Sequence, residues 1–351
     1  MSAVLESPAV AAAPRASSGS VWAAAARRFR SDRAGMVSLA IVVVFLFVVI
    51  AAGLGLVAND WQVERAVPDA PPTFLGPAPQ TESITVAAPS GPNVDISAVD
   101  PLAPRYKEWD EAAKKYQTKA ATKAETLPFG ADRLGRDVIA KAIKGAQVSI
   151  LVGVSAALLA TLIGTLLGAF AGFFGGRVGD FLEWLYNVFT AIPGILLIFA
   201  FAAVFGRGIG SVVLILGLAG WPGIYRIVRA EFIKHVVRDY VRSAEAIGAG
   251  NVSRMFRHIL PNVGHVVLVQ LSIYVVGFIK SEVILSYLGL GVRVDQVSWG
   301  TMLAEAQSDL ILGHWWQLAA ATMMMAVFVT AFSLMTDALR DALDPKLRGL
   351  E

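Results

Sequence analysis

Chemistry in a protein chain needs nucleophiles, bases or ligands at fixed spacings, and this sequence supplies few. It has no cysteine, which excludes disulfides, thiolate metal sites and thiol nucleophiles. Its four histidines, His235, His258, His265 and His314, show no metal-ligand spacing. No GxxxxGK(S/T) phosphate loop, HExxH helix or GxSxG nucleophile elbow occurs. The chain therefore reads as no enzyme, with no ATPase site and no bound metal or cofactor of its own. The charges that draw notice are Lys280 and Glu282, directly after a long uncharged run. Two residues apart on a helix, they point about 200° apart and do not pair. Either both lie at a membrane interface with Lys280 snorkelling, or Glu282 faces a polar path through the membrane.

The elements that would position these groups follow from composition. Only 16% of the 351 residues are charged and 56% are hydrophobic, against about 25% charged in soluble domains. Mean hydropathy is +0.60. A net charge of +3 is too small to point to nucleic acid. Stretches without Asp, Glu, Lys or Arg run 34–59, 145–176, 184–206, 208–225, 259–279 and 310–336. Each can hold one helix across a hydrocarbon core of about 30 Å. The spacing predicts an all-α integral membrane fold with six transmembrane helices and a long extracytoplasmic loop between helices 1 and 2. Gly164, Gly168 and Gly172 repeat every four residues, which predicts close helix packing rather than a substrate lining. Pro193 and Pro222 fall inside the third and fourth runs as candidate kinks, and Trp221-Pro222-Gly223 interrupts the fourth.

Lys and Arg in short flanking segments set orientation. Arg27, Arg28, Arg30 and Arg33 precede the first run; Arg226, Arg229, Lys234, Arg238, Arg242, Arg254 and Arg257 lie between the fourth and fifth; Arg340, Lys346 and Arg348 follow the sixth. Six crossings bring all three segments to one side, so both termini are predicted to be cytoplasmic. The division is a cytoplasmic tail 1–33 (residues 1–20 disordered), helix 34–58, outer loop 59–144, a membrane core 145–338 and a cytoplasmic tail 339–351. Within the outer loop, 67–104 is Pro-rich and irregular, and 106–123 is helical with Trp109, Ala112, Ala113 and Tyr116 on related faces.

The connection 239–262 has the pattern of an ordered device. Asp239 is a candidate N-cap, Arg242 and Glu245 are spaced to pair, and Gly248 and Gly250 break the helix. Val252, Met255, Phe256 and Ile259 then form one apolar side, and Pro261 opens the next span. The picture is helix, glycine turn, helix, offering a firm knob at the membrane surface.

This stretch resembles the signature loop of bacterial ABC-importer permeases: EAA, three residues, Gly, nine residues, then I-x-L-P. Ala244, Gly248, Leu260 and Pro261 match; Arg242 replaces the first Glu, and His258 stands where Ile is usual. The peptide branch often has Arg where Glu245 stands, so the two charges look exchanged. LPFGADRLGRDV (127–138), LSYLGLGV (285–292), SWGTML (298–303) and LRDALDPKLRG (339–349) resemble segments of dipeptide and oligopeptide permeases. The resemblance is to the second, C-type subunit. It implies a multi-pass protein of the bacterial inner (plasma) membrane, paired with a second homologous permease subunit. Two cytosolic ATPases using ATP and Mg would dock on Arg242, Ala244, Glu245, Gly248, Phe256, Leu260 and Pro261. An extracytoplasmic peptide-binding protein would deliver cargo, and Leu134, Gly135, Arg136, Asp137 and Glu282 are candidates for an outer gate or pathway. Alternatives are a permease for nickel or a peptide antibiotic, or a secondary transporter, which would normally show inverted repeats and mid-membrane charge.

Overall fold

The computed structural model describes residues 21–77, 100–115 and 123–343. The predicted disorder of 1–20, most of the Pro-rich stretch, Tyr116 and the last eight residues lie outside the described residues. Among those described, the chain is helical apart from four isolated β-bridges in the 64–137 region.

A short basic helix α1 (Val21–Ser31) precedes α2 (Arg33–Gly53), so the arginine cluster lies on a helix rather than in a tail. Asp32 caps α2, its Oδ1 accepting the Ala34 N–H at 2.9 Å. Helix α2 stops short of residue 58 because Gly55 and Ala58 take positive φ of 74° and 55°. The outer loop contains α3 (Tyr106–Lys115). Helix α4 (Val138–Phe174) starts seven residues before the uncharged run, because Asp137 caps it and accepts the Ile139 N–H at 2.8 Å. Lys141 and Lys144 thus ride on an N-terminal extension of the same helix.

The third crossing is broken. Helices α5 (Gly176–Ala191) and α6 (Gly194–Phe205) meet at 89°, with Ile192 and Pro193 at the corner. Proline lacks an N–H and pushes its predecessor into extended backbone, and Ile192 sits at φ −91°, ψ 129°. Pro222 behaves differently: α7 (Ile209–Val236) runs unbroken through it, contrary to the predicted interruption. Membrane helices tolerate such prolines where packed neighbours hold the turn. Here the neighbours are close, since Trp221 is 3% and Ile224 0% exposed.

After α8 (Asp239–Ala246) and the three-residue α9 (Asn251–Ser253), a π-helical turn (Arg254–Ile259) leads into α10 (Leu260–Tyr287). The Leu260 N–H reaches the Met255 carbonyl, and Pro261 follows with no N–H to donate. Helix α11 (Trp299–Ile311) has a reciprocal capping box between Ser298 and Thr301. It ends before Gly313 at φ +89°, and α12 (Trp316–Leu343) is a separate helix. The last crossing is therefore 316–343 rather than 310–336, and Asp337, Arg340 and Asp341 lie on its final turns. Five helices are long and apolar enough to cross a membrane, and the bent pair makes up to six if its two halves form one span.

The core joins α4, α7 and α10. The glycine stripe of α4 lies against α7, as its spacing predicted. An added Cβ on Gly164 would fall 2.7 Å from the Trp221 carbonyl oxygen, on Gly168 2.7 Å from that of Tyr225, and on Gly172 2.6 Å from Phe232 Cβ. Small residues let the backbones approach this closely. Ala25 and Phe29 of α1 pack with Leu339, Ala342 and Leu343 of α12, so these helix ends share one side. On the opposite side Trp61, Val138, Met302 and Trp316 form one cluster.

Candidate functional site

The 239–262 segment is a helix, a glycine turn and a second helix anchored to the core. Helix α8 ends in a Schellman motif: the Gly248 N–H donates to Glu245 O (2.9 Å) and the Ala249 N–H to Ala244 O (2.9 Å). Gly248 holds φ +91°. A Cβ there would meet nothing within 4 Å, so backbone handedness, not crowding, demands glycine. Gly250 precedes α9 at an ordinary φ of −69°.

Inward, Val241 and Ala244 are buried, as are Met255 and Ile259. Phe256 is half-buried and meets Phe170 of α4 edge-on, ring centroids 6.4 Å apart. Outward, Ile247 is 84% and Val252 67% exposed. Val252 thus departs from its predicted place on the apolar side, because α9 lasts only one turn and leaves it facing out. Asp239 is not the cap; Arg238 occupies that position without a side-chain hydrogen bond, and Asp239 lies in the first turn, where its charge still suits the helix dipole. The predicted Arg242–Glu245 pair does not form. Glu245 pairs instead with Arg254 at 2.6 Å, and Arg242 is exposed. Arg254 also bonds Asn251 Oδ1 and lies over the Phe173 ring, 5.4 Å from its centroid. It ties the knob to the end of α4, and reading pairs only within helices missed it, because the glycine turn folds the π-helical turn back onto α8. Leu260 packs on the core and Pro261 is exposed at the first turn of α10.

The opposite end carries a charged clasp. Asp132, with a fully buried side chain, accepts from Lys141 Nζ (2.7 Å), Arg136 Nε (2.7 Å) and the Leu134 and Arg136 N–H groups. Lys141 also pairs with Glu305 of α11, and Glu305 accepts from Gln317 of α12 at 3.2 Å. Burial pushes the Asp132 carboxyl up, but Lys141 and Arg136 outweigh it and hold it below the usual carboxylate range. Of the predicted gate residues, Arg136 belongs to this clasp and Asp137 caps α4. Gly135 makes a turn at φ +79° against Ala66, and Leu134 is 47% exposed. The hub residues Asp132 and Lys141 went unremarked in the sequence; the signal available was opposite charges flanking the start of a span. Glu282 is enclosed within this chain. It is 0% exposed, accepts the Ser286 hydroxyl at 2.6 Å, and faces Ser149 and Ser298.

A chain of helices long and apolar enough to cross a membrane, capped by a clasp at one end and bearing a glycine-turned knob at the other, marks an integral membrane component. The family model "Binding-protein-dependent transport system inner membrane component" matches residues 164–349, and "N-terminal TM domain of oligopeptide transport permease C" matches 20–72. Among curated proteins, the dipeptide transport system permease protein DppC of Bacillus subtilis (strain 168) is 36% identical over 63% of this chain and 69% of its own. The oligopeptide transport system permease protein OppC of the same organism is 31% identical over 70% and 81%. The glutathione transport system permease protein GsiD of Salmonella typhimurium is 41% identical over 63% and 73%. A chain of the inward-facing MetNI methionine ABC transporter overlaps at TM-score 0.48 and 14% identity, over 58% of this chain and 96% of that one. The chain belongs to the family of inner-membrane components of binding-protein-dependent transport systems.

Proposed function

We propose that this permease subunit imports short peptides, with ATP and Mg consumed by separate cytosolic subunits that dock on 239–262. The observation that carries the reading is the knob itself: exposed Ile247 and Val252 on a turn that Gly248 and the Glu245–Arg254 pair hold rigid. A rigid contact passes motion of an attached engine into the membrane helices, through Phe256 on α4 and through the unbroken run from the π turn into α10. The cargo class rests on relatives named for dipeptides, di/tripeptides, oligopeptides and glutathione, all small peptides. In this reading the complex contains a second homologous permease, two ATPases and an extracytoplasmic peptide-binding protein. Both termini and the knob face the cytoplasm, and the Leu134–Asp137 turn lies outside, where it and the clasp act at the outer gate.

Co-purification of the tagged chain from membranes tests the assembly, with two ATPases and a second permease as the expected companions. Labelled dipeptide uptake competed by peptides of graded length, against nickel, tests the cargo. Competition by nickel alone overturns the peptide reading.

A further inference from the structure

Between α10 and α12 lies a cavity of about 250 Å³ lined by Ser272, Gly277, Lys280, Ser333, Thr336 and Asp337. An added Cβ at Gly277 would meet nothing within 4 Å, so the groove is open there. Lys280 and Asp337 are both exposed, and among the described residues neither has a hydrogen bond or ion pair. Helix α10 continues to Tyr287, so Lys280 lies seven residues before the end of the helix. The helices are antiparallel: Val269 early in α10 shares an apolar cluster with Leu339 and Ala342 late in α12. Side chains lean towards their own helix N-terminus, so the ammonium of Lys280 and the carboxylate of Asp337 lean towards each other along the groove. Unpaired charges are costly against lipid and belong beside water, ligand or protein.

We infer that this cavity binds a small zwitterion: the free carboxylate of a short peptide against Lys280, its ammonium against Asp337, and the Ser333 hydroxyl between them. The volume lies just below the span of about 300–1,000 Å³ typical of drug-sized pockets, which suits a dipeptide rather than a long chain. The inference rests on the peptide reading above and names where in this subunit such a cargo is held.

The chain has no cysteine, so Ser333→Cys in the assembled transporter gives a single reporter in this subunit. A water-soluble thiosulfonate is expected to label it, and dipeptide delivered with the binding protein to slow labelling at least fivefold. Lys280→Gln and Asp337→Asn are each expected to cut the maximal dipeptide uptake rate at least tenfold, with Lys280→Arg keeping a third or more. No labelling means the groove is closed by lipid or the partner subunit and overturns the site. Labelling without protection, or uptake by both neutral variants within twofold of wild type, also overturns it. Those failures leave wild-type peptide uptake intact, whereas absent wild-type uptake overturns the peptide reading and this ligand together.

Discussion

At the scale of single residues, two positions carry most of the argument. Gly248 stands at φ +91° with empty space around its missing Cβ. Alanine there costs about 1–2 kcal/mol of backbone strain and no clash. Gly248→Ala should therefore lower uptake partly, and Gly248→Asp, which adds a charge to the docking tip, should abolish it. Membrane levels by immunoblot should stay normal for both; wild-type uptake by the Asp variant would refute the coupling role. The Glu245–Arg254 pair makes a reciprocal prediction: Arg254→Glu loses uptake, and adding Glu245→Arg restores part of it. Because Glu245 is 60% exposed on its side chain, the pair itself is worth about 1 kcal/mol or less, and Arg254 acts mainly through Phe173 and Asn251. In the clasp, Asp132→Asn leaves Lys141 with Glu305 as its one charged partner and should cost about 3 kcal/mol. Asp132 titrates below its ordinary value in the folded chain, so its stabilisation is present above about pH 4 and fades as pH falls further. Amide protection factors across 123–137, with the intrinsic pH dependence of exchange divided out, should thus match at pH 5 and 7 in the wild type and fall in the Asn variant.

At the scale of elements, what the sequence disclosed depends on what terminates each helix. The glycine stripe of α4 was legible because small residues every four positions have one economical use in a membrane, and α7 fills it. Gly168→Leu should lower the level of folded protein in membranes several-fold, read by immunoblot after extraction in mild detergent. Helix ends set by charge were misjudged. Lysines on the N-terminal turns of α4 and acids on the last turns of α12 sit comfortably in helices that extend past the hydrocarbon, so uncharged runs mark the lipid and not the helix. The two prolines look alike in the sequence, yet Pro193 sits at an 89° corner and Pro222 leaves its helix unbroken. Packing decides between them: α5 and α6 are largely exposed around Ile192 and Pro193, whereas Pro222 is flanked by buried Trp221 and Ile224. The pair Glu245–Arg254 was illegible because it spans a turn whose geometry no periodicity reports.

At the scale of the whole molecule, the basic segments and the packing agree. The α1–α12 cluster and the knob mark one end; the Trp61–Trp316 cluster and the clasp mark the other. If the basic end is cytoplasmic, Ser31→Cys should be shielded from an impermeant thiol reagent in intact cells while Ser308→Cys reacts, since both side chains are exposed. The reverse pattern would invert the topology. The six-crossing count requires α5 and α6 together to do the work of one helix, joining the Phe174 side to the Gly208–Gly291 contact (3.1 Å) on the other.

Helix α4 has 37 residues, which at 1.5 Å each makes a rod of about 56 Å, nearly twice the depth of the hydrocarbon. One end of that rod bears Lys141 and the other bears Phe170 and Phe173, so the same lever touches both surfaces of the membrane. Rocking it by about 10° about one end sweeps the other through about 10 Å, simple arithmetic on its length. A nudge smaller than a helix diameter at one face thus becomes a displacement at the far face wide enough to admit or expel a small solute.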